Sequence, residues 1–360
     1  MKRRVCLAVL GVLLLAGCAV NTGETQNTEP AVTEQVTQAT TEPTTVPTTV
    51  PTEAPEKRYL FTFAGDCTLG GHTAHTRAGY GFLMTVADQY DYPMANVRTW
   101  FENDDFTMVN LECALTDKGR AAGQIYSFRG PTSNVKILTE NSIEAVSFAN
   151  NHVYDYGPVG YESTVSVLEE NGIAYVEQNS STVVTLEGGL TVGIYGTVYN
   201  TDDEKATVEA IKALKEQVDL VIYAPHWGTE NSFRATPKQK ELGHAVIEAG
   251  ADIVYGCHPH VLQPIEEYQD GVIYYSLGNF CFGGNIYPKD YDSAIIQQEV
   301  IQNPDGTVEL GERTIIPCNI SSMKKRNNFQ PTPYEEGTKE YERVLSKLNG
   351  TYKGPNIPVG

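Results

Sequence analysis

After Lys57 the chain repeats one pattern: a short apolar run rich in Val, Ile, Phe and Tyr, then polar residues of a restricted kind. The run from Tyr59 to Ala64 precedes Gly65-Asp66, Phe106 to Val109 precedes Asn110-Leu111-Glu112, and Ala145 to Ala149 precedes Asn150-Asn151-His152. Leu220 to Ala224 leads to His226, Ile253 to Gly256 leads to His258-Pro259-His260, and Val272 to Tyr275 leads to Ser276-Leu277-Gly278-Asn279. Runs without polar alternation predict strands covered on both faces. In sheets of that kind sites form beyond the strand carboxyl ends, so these tips are expected to meet at one place.

Between the runs the period becomes helical over Met94 to Glu102, Ser133 to Glu140, Val159 to Glu170, Glu204 to Glu216 and Pro237 to Ala249. Pro158 and Pro237 suit first-turn positions, and Gly172 and Gly250 suit helix stops. Val183 to Leu186, Leu190 to Tyr195, Val261 to Glu267, Ala294 to Val300 and Val308 to Ile316 follow neighbouring strands without a helix, which predicts hairpins and a second sheet. The expected class is α/β, two sheets packed together with helices outside. One globular domain is expected over 58–330, followed by a polar tail, 331–360, with one helix from Tyr334 to Leu348.

The N-terminus has another character. Lys2, Arg3 and Arg4 precede the apolar stretch Val5 to Leu15, which has the proportions of a signal peptide rather than a membrane span. It ends in Leu15-Ala16-Gly17-Cys18, which resembles a bacterial lipobox, so 1–18 reads as a lipoprotein signal with Cys18 the acylated residue. From Ala19 to Glu56 there is no Lys or Arg, and Thr, Glu and Pro dominate. Such a segment buries too little apolar surface to offset its ordering entropy. The region 19–57 is therefore expected to be a disordered linker, and the protein to be lipid-anchored on the extracytoplasmic face of the cell membrane.

Charge and cysteine usage narrow the chemistry. The net charge of −19 becomes −22 once Lys2, Arg3 and Arg4 leave with the signal, which disfavours nucleic acid as a partner. Five Cys remain beyond Cys6 and Cys18, and no CxxC occurs, so neither a disulfide framework nor a structural zinc knuckle is indicated. If the backbone of His258-Pro259-His260 is extended, both imidazoles leave the same side. His226 can add a third imidazole, Asp66 and Glu112 carboxylates, and Asn151 an amide oxygen. That donor set suits a divalent ion such as Mn, Fe, Zn or Mg.

Gly65-Asp66, Asn110-Leu111-Glu112, Ala149-Asn150-Asn151-His152 with Asp155 and Gly157, His226-Trp227-Gly228, Gly250-Ala251-Asp252 with Gly256, His258-Pro259-His260 and Ser276-Leu277-Gly278-Asn279-Phe280 resemble, in order, the motifs of the bacterial CapA capsule-synthesis family. The resemblance covers about Arg58 to Pro317. It implies a metallophosphatase-like (calcineurin-like) four-layer sandwich of two β-sheets flanked by helices, and work on poly-γ-glutamate. It also implies one or two metal ions held by Asp66, Glu112, Asn151, His226, His258 and His260, with Glu112 bridging. His152 would act as general acid, oriented by Asp155. One position departs from the phosphoesterase pattern: Thr68 stands where a His is usual, so one metal subsite lacks an imidazole.

Poly-γ-glutamate is polyanionic and the domain acidic, so binding calls for a locally positive cleft. Arg77, Arg129, Arg234 and Lys324-Lys325-Arg326 are candidates, with Asn279 a further substrate-binding candidate. Three functions fit: a metal-dependent hydrolase or transferase acting on an anionic polymer or a phosphorylated envelope substrate, a non-catalytic binding or export module assisting a membrane synthase, or an extracellular metallophosphoesterase.

Overall fold

Along Leu220–His226 every residue is buried, but alternate residues enter different layers. Leu220, Ile222 and Ala224 share a core with Phe61, Phe63, Phe106 and Met108 of another sheet. Val221 and Tyr223 pack instead against Ile211 and Leu214 of the helix Glu204–Lys215 and Leu242 and Val246 of the helix Pro237–Glu248. The unalternated apolar run thus has its physical cause: the strand has apolar neighbours on both faces. The computed structural model describes residues 55–72, 79–123, 125–198 and 203–358. The expected signal, Cys18, nearly all of the expected linker and Arg77 lie outside the described residues.

The first sheet runs in the order Thr332–Pro333, Val308–Asn319, Asp292–Gln302, Lys57–Thr68, Phe106–Leu111, Ala145–Ser147, Ala174–Val176, with Asn279–Phe282 also pairing with Lys57–Thr68. The second runs Ile265–Tyr268, Gly271–Tyr274, Ile253–Tyr255, Leu220–His226, Thr191–Val198, Ser180–Thr185. Its inner strands are parallel, as are Lys57–Thr68, Phe106–Leu111 and Ala145–Ser147 in the first. Carboxyl ends from both sheets therefore lie on common edges, where the motif residues were expected. On the outer face of the first sheet, Val109, Leu111, Val146 and Phe148 pack with Phe101, Leu138 and Leu168 from helical segments. The layers are helices, sheet, sheet, helices, as the resemblance implies.

Several boundaries differ from expectation. The Met94 to Glu102 helix is a single turn, Tyr92–Met94, and a short helix, Arg98–Glu102, separated by non-helical backbone at Val97. The strand expected to stop at Ala64 continues to Thr68 through a register shift between Phe63 and Asp66, where its antiparallel partner Ile296 gives way to the parallel partner Asn279. A small sheet of Gly71–His72, Phe128–Gly130 and Ala114–Leu115 was not expected, because strands of two or three residues show no period.

The C-terminal helix Lys339–Leu348 packs inward: Val344 and Leu348 are buried in the core between the sheets. Lys347, 2% exposed, lies 2.7 Å from both Asp290 and Asp292, and Arg343 reaches Asp292 at 2.7 Å. No helix among the described residues is long and apolar enough to cross a membrane.

Candidate metal centre

Asp66 occupies its position because Gly65 lets two strands touch. A Cβ at Gly65 would lie 1.9 Å from the carbonyl oxygen of Gly278, and the Asp66 amide donates to that oxygen at 2.8 Å. The neighbouring strand, Phe106–Leu111, delivers Glu112 just past its end, and Ala145–Ser147 leads through a short turn to Asn151 and His152. From the second sheet His226 ends its own strand, and His258 and His260 follow Ile253–Tyr255. The backbone of the His-Pro-His triplet is not extended, so the condition for both imidazoles to leave one side of a strand is not met: φ is 98° at His258 and 57° at His260. These left-handed conformations are costly for residues with a Cβ and persist where surrounding contacts impose them. The two imidazoles still converge, with centroids 6.0 Å apart.

Glu112 lies at the middle of the cluster, fully buried. Its Oε1 is 3.6 Å from His226 Nε2, 3.7 Å from His260 Nε2 and 3.9 Å from His152 Nε2, yet it has no hydrogen-bond partner. Those gaps are too long for hydrogen bonds. A buried carboxylate oxygen without a partner is costly, and a cation among these groups would satisfy it. Glu112, His258 and His260 each place a ligand atom within 4.8 Å of the others. Asn151 Oδ1 lies 2.7 Å from His226 Nε2, and His258 Nδ1 lies 3.1 Å from the same nitrogen. Asn151 is exposed and His260 partly so, which opens the cluster to solvent on that side.

Burial and the cluster's own charges set its electrostatics. Burial, aided by the neighbouring imidazoles, drives His226 well below its ordinary value and lowers His258 to about 4. Burial also lowers His260, but the Glu112 and Asp66 carboxylates outweigh it and push that imidazole up to about 10. Glu112 is itself raised by burial, against the pull of His260.

His152 stands at the edge of this group. Its Nδ1 lies 2.8 Å from Asp155 Oδ2, which also accepts from the Phe128 amide at 2.6 Å, and the Phe128 ring covers the imidazole at 4.5 Å. Asn279 does not face outward as a substrate contact. Its Oδ1 lies 3.0 Å from His260 Nδ1, and its Nδ2 donates to the His260 carbonyl at 3.2 Å. Arg129 and Arg234 are not brought into the cluster. The Arg129 guanidinium sits 4.5 Å over the Tyr156 ring, and Arg234 donates to Asn356 and to the Gly354 carbonyl. Arg326 sits over the Tyr80 ring. Thr68 is buried and turned back, its hydroxyl donating to the Glu112 carbonyl at 3.2 Å. The five described cysteines are buried and unpaired, with burial raising every thiol.

Two residues of the cluster were not assigned a role from sequence. Asn110 Nδ2 donates to Asp66 Oδ1 at 2.8 Å and approaches Glu112 Oε2 at 3.4 Å, tying the two carboxylates together. Asn150 Nδ2 donates in turn to Asn110 Oδ1 at 3.2 Å and to the Leu111 carbonyl at 2.9 Å. The available signal was spacing: Asn110 stands two residues before Glu112, which puts both on one face of an extended chain.

Fold and site together define an α/β sandwich with a buried histidine–carboxylate centre at the carboxyl ends of strands from both sheets. The chain belongs to the family described as bacterial capsule synthesis protein PGA_cap, whose model matches residues 60–284. It is 29% identical to the capsule biosynthesis protein CapA of Bacillus anthracis over 293 residues, 73% of this chain and 68% of the relative. It is also 29% identical to the PGA biosynthesis protein CapA of Bacillus subtilis over 303 residues, 78% of this chain and 77% of the relative. A probable polyglutamine synthesis accessory protein of Mycobacterium tuberculosis is 27% identical over 208 residues, 49% of this chain and 55% of that one. Among solved structures the chain is similar to the NAD nucleotidase NadN of Haemophilus influenzae, with a TM-score of 0.41 and 11% identity over 82% of this chain and 63% of that one. It is similar too to a 5'-nucleotidase of Candida albicans, with a TM-score of 0.39 and 13% identity over 81% of this chain and 56% of that one.

Proposed function

We propose that the protein holds one or two divalent ions among Asp66, Glu112, Asn151, His226, His258 and His260 and acts on a poly-γ-glutamate or related anionic cell-envelope polymer as a metal-dependent hydrolase or transferase. The observation that carries the reading is the buried, partnerless Oε1 of Glu112 among three imidazole nitrogens. Bound metal would supply Lewis acidity and an activated water. Asp66 and Glu112 would offer oxygens, and His226, His258 and His260 nitrogens of borderline softness, a set compatible with Mn, Fe, Zn or Mg.

The chain's own residues would do the rest. Asp155 accepts the Nδ1 proton of His152 and so leaves Nε2 on the cluster side, where a protonated imidazole can give its proton to a leaving group. Phe128 keeps water from one face of that imidazole. With Arg129 on Tyr156 and Arg234 tied to the C-terminal segment, attraction for a polyanion would come chiefly from the metal. We further propose that Cys18 carries a lipid anchor, that 19–57 is a tether, and that the domain faces outward to serve a membrane synthase.

Thr68 favours a second reading. Its hydroxyl is committed to the Glu112 carbonyl, so the subsite beside Asp66 has no imidazole from this strand, which fits a binding or export module with one ion and no turnover. Turnover of phosphoesters and γ-glutamyl polymers by metal-loaded protein, with His152→Ala and His258→Ala as controls, separates the two. His-dependent turnover supports the enzyme, and metal binding without turnover supports the module.

A further inference from the structure

Beyond residues 60–284, the part matched to the family, the chain comes back to the loop that follows His226. The C-terminal helix is anchored by Lys347, whose ammonium lies 2.7 Å from Asp290 and Asp292 and 4.5 Å over the ring of Phe233. The chain then runs along the loop that follows His226. Tyr352 packs edge-on against Phe233 at 5.0 Å, and Asn356 Oδ1 accepts from the Phe233 amide at 3.1 Å. Asn356 also accepts from Arg234 Nη1 at 3.2 Å and donates to Ser232 Oγ at 3.2 Å, while the Ile357 amide donates to the Asn231 carbonyl at 3.0 Å. The same Asn231 donates its amide to the carbonyl of Pro259 at 2.8 Å, between the two histidines held at positive φ.

We propose that residues 350–358 are a strap that positions the metal centre: through Asn356 and Ile357 they seat the 228–236 loop, and through Asn231 that loop fixes the backbone of His258-Pro259-His260. Two left-handed histidines need an imposed conformation, and the Pro259 carbonyl contact supplies one from outside the strand. Contacts that orient ligands without touching the ion govern metal affinity by about 10- to 100-fold. Asn356 and Lys347 are thus positioning residues. The inference rests on the metal reading for its affinity readout only, because the strap's hold on the loop exists without the ion.

The test uses full-length protein, wild type, Asn356→Ala and Asn356→Asp, together with a chain ending at Asn349. Two readouts are taken: hydrogen exchange at the amides of Phe233 and Asn231 in metal-free protein, and the dissociation constant for Mn²⁺ by competition with a chelator. Asn356→Asp keeps the acceptor for Phe233 and Arg234. The strap predicts faster exchange at both amides and about tenfold weaker Mn²⁺ binding in Asn356→Ala, near-wild-type behaviour in Asn356→Asp, and a larger loss in the shortened chain. Faster exchange in a protein whose wild type binds no Mn²⁺ would support the strap while removing the metal reading. Unchanged exchange at Asn231 in Asn356→Ala would overturn the strap, as would unaltered Mn²⁺ affinity in a folded shortened chain.

Discussion

Asn279 grips His260 at two points, its Oδ1 3.0 Å from the ring Nδ1 and its Nδ2 3.2 Å from the backbone carbonyl of the same residue. Asp66 Oδ2 also lies 3.2 Å from that Nδ1, so both acceptors face one ring nitrogen and Nε2 is the one turned to Glu112 Oε1, at 3.7 Å. Asn279→Ala is expected to weaken metal binding by about 10- to 100-fold, measured by chelator competition. His260→Ala should weaken it further, and the double variant should lose little beyond His260→Ala.

Metal uptake should release protons. His260 is pushed up to about 10 by Glu112 and Asp66, so in metal-free protein the Glu112–His260 pair holds a proton at neutral pH. His226 and His258, lowered by burial, are already neutral there. A ligating imidazole must be neutral. Affinity should accordingly rise with pH from about 7 towards 10, by about tenfold per pH unit for each proton displaced. Titration calorimetry in buffers of different ionisation enthalpy counts the protons, and a pH-independent affinity would contradict the assignment.

His152 is expected to matter for turnover and not for loading. Its Nε2 is 3.9 Å from Glu112 Oε1 and its Nδ1 is engaged by Asp155. His152→Ala should lower kcat by about 10²- to 10⁴-fold at unchanged metal content, and Asp155→Asn should fall between. Parallel loss of metal and activity would instead make His152 a ligand.

The C-terminal anchor should be worth a measurable share of stability. Lys347→Met leaves Asp290 and Asp292 buried with Arg343 as the remaining cation, and removing one partner from a buried cluster costs about 3–5 kcal/mol. A lowered Tm is the readout. Burial raises the Asp290 carboxyl, whereas at Asp292 the Arg343 hydrogen bonds and the Lys347 charge overcome burial and lower it. The sign follows for Asp292: its contribution is complete above its unfolded value near 3.8 and is lost as pH falls through its lower folded value. The stability difference between wild type and Lys347→Met should therefore be largest near neutral pH and narrow as pH falls through that range.

Much of the fold was legible because its strands are covered on both faces, which leaves apolar runs such as Leu220 to Ala224 whose shortness and β-branched and aromatic content mark them as strands. The cluster was legible for a related reason, since Asp66, Glu112, Asn151, His226, His258 and His260 all follow such runs. What stayed hidden depends on contacts distant in sequence. Nothing local in His258-Pro259-His260 announces two positive φ values, which need Asn231 on Pro259. Arg234 looked available until Asn356 reached it from 122 residues away, and Asn279 looked like a substrate contact until His260 packed against it. Asn110 had the right spacing, but its tie to Asp66 spans 44 residues and exists only once the two strands pair.

The central claim is that Glu112 sits among cation ligands, and equilibrium metal titration of wild type against Glu112→Gln and His258→Ala tests it most directly. Wild type should take up one or two Mn²⁺ or Zn²⁺ ions per chain, with affinity falling by at least about tenfold in each variant while the fold is retained. A wild-type chain that takes up neither ion, or variants that load as well as wild type, would contradict the claim.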